Sequence, residues 1–399
     1  MKKSPDRFLS QRVKAIPPSG IRRFFDLVAN TKGVISLGVG EPDFVTPWHV
    51  RAASIKSIEL GYTTYTSNYG LPELRNEIAK YMLEHFNVSY DNLNEVLVTI
   101  GASEAVDVAL RAVVEHGDEV LIPEPSYVSY GPCTTLAGGI PIGVPTHPDN
   151  GFKLSAQELE KKISSRSKVL LMSYPNNPTG GIMNRPDLEE VAKIVEKYDL
   201  MVIADEIYAE LTYNAQHTSF PSLPGMKERT VLVNGFSKAF AMTGWRIGFS
   251  CAPQEITAAM LKIHQYAIMC APIMGQMAAL EALRDGRNDV NHMVEQYNQR
   301  RRLVVSRLWD IGLECFEPKG AFYVFPSVKI TGMNGEEFAE NLLAEENVAV
   351  VPGSAFGSFG MDHIRISYAA SLEQLNEALN RMESFVSRHR KKIVNVAGI

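Results

Sequence analysis

The sequence predicts an α/β protein, on three observations. From residue 95 onward, short apolar runs rich in β-branched residues alternate with longer stretches of helical periodicity. Leu200-Met-Val-Ile-Ala204 is apolar without interruption, the mark of a strand covered on both faces, as in a parallel sheet. The composition, 45% hydrophobic and 21% charged over 399 residues, is that of a globular chain of two domains, or of one large α/β domain with a smaller partner.

The chain opens on a polar lead. Ile21, Phe24, Phe25 and Val28 predict a helix over Ser19–Ala29. Val34–Leu37 then runs into Gly38-Val-Gly40-Glu-Pro42-Asp-Phe44, a loop whose glycines let backbone approach a ligand. Gly38-x-Gly40 lacks the third glycine and the following helix of a dinucleotide fingerprint, which disfavours a nicotinamide-dependent dehydrogenase. The turn-rich Tyr62–Gly70 segment follows, with Tyr65 and Tyr69, then an amphipathic helix through Phe86.

Val96–Ile100 is a strand, Gly101 breaks it, and Ala102–Val114 is a helix with a small apolar face. Strand, glycine turn and helix N-terminus make an anion site, because free N–H groups and the helix dipole point at it. Gly101, Ala102 and the hydroxyl of Ser103 are therefore candidate phosphate ligands. Glu119–Ile122 ends in Pro123-Glu-Pro-Ser-Tyr127, leaving Tyr127 at the carboxyl end of a strand, where open α/β sheets bind ligands. Ile140–Val144 and Val169–Met172 are further strands; the second exits into Asn176-Asn177-Pro178-Thr179-Gly180. Leu200–Ala204 delivers Asp205, a carboxylate that is costly at the end of a buried strand unless paired.

Thr230–Phe249 holds the densest chemistry. A strand breaks at Asn234-Gly235 and presents Ser237-Lys238 among apolar neighbours. Desolvation lowers a lysine's pKa and makes it a nucleophile toward an aldehyde. Arg246, at the start of the next strand, is suited to hold a phosphate bidentately. Amine and guanidinium together fit an aldehyde with a phosphate tail, such as pyridoxal 5'-phosphate (PLP).

The remainder reads as a long helix over about 286–311, an α+β section with strand-like Gly320–Pro326, Val348–Gly353 and His363–Ala369, a helix near 335–346, and a final helix with a basic tail, Arg388–Lys392. The basic run Tyr297–Arg302 reads as a solvated helix face. A net charge of −5 gives no sign of a nucleic-acid or anionic-membrane partner. Cys133, Cys251, Cys270 and Cys315 have no metal-ligand spacing; three lie in apolar runs and read as reduced, buried thiols of a cytoplasmic protein. The basic N-terminus lacks the apolar core of a signal peptide, and no apolar run approaches the ~20 residues of a membrane span.

Ser237-Lys238-x-x-x-Met242-x-Gly244-Trp245-Arg246-x-Gly248 resembles the PLP-lysine signature of the class I/II aminotransferases, which have the fold-type-I, aspartate aminotransferase-like architecture. The likeness runs along nearly the whole chain, through G-x-P-D-F at Gly40–Phe44, Y-x-x-x-x-G-x-x-x-L-R at Tyr65–Arg75, N-P-T-G at Asn177–Gly180, D-E-x-Y at Asp205–Tyr208 and I-R-I-S at Ile364–Ser367. It implies a seven-stranded, mostly parallel sheet flanked by helices, with a small α+β domain formed from both chain ends, divided as 1–46, 47–288 and 289–399. It implies transamination in two half-reactions, from an L-amino acid to a 2-oxo acid such as 2-oxoglutarate, with Lys238 as the catalytic lysine.

By the same resemblance Gly101, Ala102, Ser103 and Arg246 hold the phosphate. Tyr127 stacks on the pyridine ring, Asn177 and Tyr208 donate to its phenolate oxygen, and Asp205 pairs with its ring nitrogen. Gly40 and Asn177 touch the substrate, and Arg365 grips the α-carboxylate. Tyr65 reaches the phosphate of a partner subunit across a homodimer. Two rivals share these motifs: a PLP-dependent β-lyase or related eliminase, and a PLP-binding regulator without turnover. The second is disfavoured by the acidic balance and by the roughly 45 residues ahead of the large domain, too few for a DNA-binding domain.

Overall fold

The computed structural model describes residues 4–18 and 33–390. The helix expected over Ser19–Ala29, and the end of the basic tail, lie outside those residues. After β1 (Ile35–Ser36), the strands β2 (Val96–Thr99), β3 (Glu119–Glu124), β4 (Ile140–Pro145), β5 (Ser167–Ser173), β6 (Met201–Asp205), β7 (Thr230–Gly235) and β8 (Gly248–Cys251) follow. The last seven form one sheet in the order β2-β8-β7-β6-β5-β3-β4. All neighbours are parallel except at β8, which runs against both β2 and β7. The reversal follows from chain length: only Phe236–Ile247 joins β7 to β8, and the connection carries no crossover helix.

The sheet is covered on both faces, as the apolar run of β6 required. Val202 packs toward Leu188, Val191 and Val195 of the helix Arg185–Lys197. Its neighbour Ile203 faces the other way, toward Val106, Ala109 and Leu110 of the helix Gly101–Val113 and Met260 of the helix Gln254–Ala267. Successive strand residues point to opposite faces, so two layers of helix bury what one layer would leave wet. The carboxyl ends of the central strands are in register, Ser173 opposite Asp205 and Asp205 opposite Val233. A row of strand ends thus opens at one rim of the sheet.

A second core gathers around the long helix Arg287–Ile311 and the helices Gly335–Glu346 and Leu372–His389. Here β9 (Tyr323–Val324), β11 (Val351–Pro352) and β12 (Ile364–Ser367) make an antiparallel sheet, while β10 (Val348–Ala349) pairs in parallel with β1. The early chain is thereby stitched to the late chain. The continuous strand expected over Val348–Gly353 is divided at Val350, one half serving each small sheet.

Two expectations are overturned here. In the Tyr297–Arg302 run, Tyr297, Arg300 and Arg301 are buried, because their partners come from elsewhere in the chain, while Gln299 and Arg302 are solvated. Arg300 Nη1 donates to Asp43 Oδ1 at 2.7 Å and stacks over Phe44, and Arg301 bonds Glu317 and the Pro318 carbonyl. Of the four cysteines, all free, only Cys251, on β8, is buried; Cys133 on a helix and Cys270 and Cys315 in connections are half-buried. Among the described residues no helix is long and apolar enough to cross a membrane.

Candidate active site

A cavity of about 750 Å³ opens at the carboxyl rim of the large sheet and is roofed by the small sheets. Its floor is Asp205, the last residue of β6, 6% exposed. Tyr130 Oη donates to Asp205 Oδ2 at 2.8 Å and the Ile207 N–H to Oδ1 at 3.1 Å. Burial still pushes this carboxyl up to about 6. A carboxylate so placed gains most from a cationic or N–H partner in the cavity.

Lys238 stands on the turn after β7. Desolvation lowers its ammonium to about 8, with Arg365 and Arg246 pushing the same way and Glu41 and Asp205 opposing. A usable share of the amine is therefore neutral near physiological pH. Its Nζ donates to the Gly40 carbonyl at 2.7 Å and lies 5.9 Å from the Tyr208 ring centroid.

The anion end is built around Gly101, which has φ +71° and begins the helix Gly101–Val113. That dihedral favours glycine, and a Cβ there would sit 2.6 Å from Arg246 Nη2, so any side chain would displace the guanidinium. Ala102 and Ser103 line the cavity beside it. Arg246 is not at the start of β8 as expected. It sits two residues earlier with φ +55°, exposed, its Nη1 on the Thr243 carbonyl at 3.0 Å. The left-handed turn aims the guanidinium back across Gly101.

At the opposite end Arg365, on β12, is 3% exposed. Nη1 donates to Asn177 Oδ1 at 2.8 Å and Nη2 to the Gly38 carbonyl at 2.6 Å; Nε has no partner. The guanidinium lies 4.5 Å from the Tyr323 ring centroid and 4.9 Å from that of Phe356. Asn177 spends its carbonyl on Arg365, which leaves its amide N–H groups for a ligand. Tyr208 and Tyr323 share a 2.7 Å hydroxyl pair, and burial pushes both phenols up. A Cβ on Gly40 would collide with the Tyr323 hydroxyl at 2.6 Å.

Of the residues the sequence singled out, the cavity gathers Gly40, Ala102, Ser103, Tyr127, Asn177, Asp205, Tyr208, Lys238, Arg246 and Arg365, with Gly101 at its edge. Tyr65 is absent from the lining and is 80% exposed. Sequence reasoning missed Tyr130, Tyr323, Phe356 and Glu41. The pattern Gly320-Ala-Phe-Tyr-Val was read only as a strand, although a tyrosine of a buried strand next to a glycine is a polar tip in need of a partner.

Residues 32–382 match the family model for aminotransferase class I and II. The chain is 56% identical over 381 residues to a putative aminotransferase, YugH, of Bacillus subtilis, covering 96% of this chain and 99% of that one. It is 47% identical to an aspartate aminotransferase of Pyrococcus abyssi, covering 96% and 99%. Among solved structures, an aromatic aminotransferase from Pyrococcus horikoshii OT3 superposes with a TM-score of 0.88 at 44% identity, covering 92% of this chain and 99% of that one.

Proposed function

The chain belongs to the aminotransferase class I and II family and moves an amino group from an amino acid to a 2-oxo acid; from that premise we propose that it does so on PLP held in the cavity above β6, with 2-oxoglutarate as acceptor. When bound, PLP supplies an aldehyde for the substrate's amine and a pyridinium ring that takes up the electron pair left at Cα. The observation that carries the reading is the pairing of opposite needs in one cavity. Asp205 is a buried carboxylate short of a cation, and Lys238 is a desolvated amine that releases its proton more readily than an exposed lysine.

The chain's own groups divide the work. Asp205 holds the proton on the ring nitrogen, with Tyr130 keeping the carboxylate oriented. Arg246, the free amides at Gly101–Ser103 and the Ser103 hydroxyl take the phosphate. Tyr127 lies against the ring, and Asn177 and Tyr208 donate to its phenolate oxygen. Arg365 takes the substrate α-carboxylate as a planar fork, turned by Asn177 and Gly38. Lys238 Nζ then carries the proton lifted from Cα, and the apolar ring faces around it exclude water.

The segments 1–46 and 289–399 form the small domain, and 47–288 the large one; the β1–β10 pairing supports that division. A homodimer with shared sites is supported by the exposed aromatic and apolar side chains of one stretch of chain, Ile58, Tyr62 and Tyr65. Four free thiols support a cytoplasmic home. The test of function is a panel of amino donors against 2-oxoglutarate and pyruvate. Keto product that depends on the oxo acid supports transfer; ammonia release without one would mean elimination instead.

A further inference from the structure

Behind the Gly101 turn lies a buried polar pair that the proposed chemistry does not use. The helix Gly101–Val113 packs against the helix Gln254–Ala267, with Val106 and Ala109 meeting Met260. This packing sets Glu104, in the first turn of one helix, against His264, in the last turn of the other. Glu104 Oε1 and His264 Nδ1 are 2.6 Å apart, and Glu104 Oε2 accepts the Ile100 N–H at 2.5 Å. His264 is 0% exposed and its Nε2 has no partner among the described residues. An ionised carboxylate only accepts, so the imidazole spends its Nδ1–H on Glu104.

A carboxylate in the first turn of a helix is an internal rival for any anionic ligand there. The free amides attract it for the same reason that they attract phosphate. Glu104 is one residue beyond Ser103, on the turn whose amides face the cavity. Both of its oxygens are nonetheless committed elsewhere, one to Ile100 behind the turn and one to His264 in the neighbouring helix.

We propose that His264 and Glu104 are a positioning pair: His264 tethers the Glu104 carboxylate away from the Ala102 and Ser103 amides, and the tethered carboxylate in turn holds the Ile100–Gly101 bend that presents those amides to a phosphate. The proposal rests on the reading of Gly101–Ser103 as the phosphate site. The ligand class is a phosphomonoester dianion. Neither residue touches it.

The experiment is equilibrium titration of the full chain, stripped of cofactor, with PLP and separately with pyridoxal, which has the aldehyde and ring but no phosphate. Thermal melts of each variant confirm folding. His264→Leu frees the carboxylate and is expected to weaken PLP about tenfold while leaving pyridoxal within about twofold. His264→Asn keeps a donor near the Nδ1 position and is expected to restore most of the affinity. The double variant His264→Leu with Glu104→Gln removes the competing charge and is expected to recover PLP binding relative to His264→Leu alone.

Unchanged PLP affinity in His264→Leu overturns the proposal, as does an equal loss of PLP and pyridoxal or a double variant no better than the single one. Arg246→Lys in the same titration separates the two levels. If it weakens PLP selectively while His264→Leu does not, the pair fails and the phosphate site stands. If Arg246→Lys changes neither ligand, the phosphate reading itself falls.

Discussion

Two arginines face each other across the cavity and are held in opposite ways. Arg246 is exposed, carries a left-handed backbone and has a single intramolecular bond, to the Thr243 carbonyl. Arg365 is 3% exposed, bonded to Asn177 and Gly38, and flanked by the Tyr323 and Phe356 rings. Desolvation lowers its pKa, yet a guanidinium stays charged. On the roles proposed above, the difference suits two kinds of anion. A phosphate dianion attracts strongly from any direction and needs donors with freedom to close on it. A substrate carboxylate is weaker and must be presented in one plane, so that Cα stands next to Lys238. On the proposed roles, Arg365 is fixed in its plane before a substrate arrives, whereas the Arg246 fork is left free to close on the phosphate.

That contrast sets what each residue's loss should do. The largest effect belongs to the group between the two arginines. Lys238→Ala should cut transfer by roughly 10³-fold or more while the protein still retains PLP through the Arg246 end, seen as bound-cofactor absorbance after gel filtration. Loss of cofactor in proportion to activity would show that Lys238 anchors rather than transfers protons.

Asp205→Asn comes next. Steady-state rates at saturating PLP should fall by roughly 10²-fold, since an amide cannot hold a ring proton as a carboxylate does. The same variant should melt higher than wild type when cofactor-free. A carboxyl raised from 3.8 to about 6 by burial adds stability only while protonated, which is lost as pH rises through 6. At pH 8 the native state therefore carries a cost of roughly 3 kcal/mol that asparagine removes. The melting difference should shrink toward pH 5, and a variant less stable at pH 8 would contradict the account.

The two arginines themselves should part company. Arg365→Lys loses the planar fork and should raise KM by roughly tenfold for every amino and oxo acid alike. Arg246→Lys should leave KM for those substrates nearly unchanged and weaken retention of PLP. A KM defect confined to dicarboxylic substrates would move Arg365 to the side-chain end of the pocket. Tyr65 comes last because its effect would show only between subunits: its phenol would contribute roughly 1.5–3 kcal/mol to a partner's phosphate. Mixing Lys238→Ala and Tyr65→Ala subunits should restore activity through one intact site per hybrid. No recovery after verified subunit exchange would return Tyr65 to its own chain.

The parts of this site that were legible in the sequence are those whose chemistry is local. Lys238, the Gly101 turn and Asp205 each announce themselves by a strand, a break and a reactive residue within a few positions. The alternation of apolar runs gave the two-sided sheet for the same reason, because burial on both faces erases the period-2 pattern of β6. What sequence reading missed is tertiary. Tyr130 serves Asp205 across 75 residues, and Tyr323 meets Tyr208 across 115. Arg300 looked solvated because its partner Asp43 lies 257 residues away. Arg246 was placed at the start of a strand because the left-handed bend before β8 has no glycine at that position to mark it. The donor side chain stayed unread as well: similar relatives bear aspartate and aromatic names alike, and the roles proposed for Arg246, Arg365 and Lys238 use every lysine and arginine of the cavity lining among the described residues.

The most direct test of the central claim is chemical. The full chain with PLP is reduced with borohydride, digested and mapped by mass spectrometry. A pyridoxyl phosphate adduct is expected on Lys238 and absent from Lys238→Ala. An adduct placed reproducibly on a different lysine, with Lys238 unmodified, would contradict that claim.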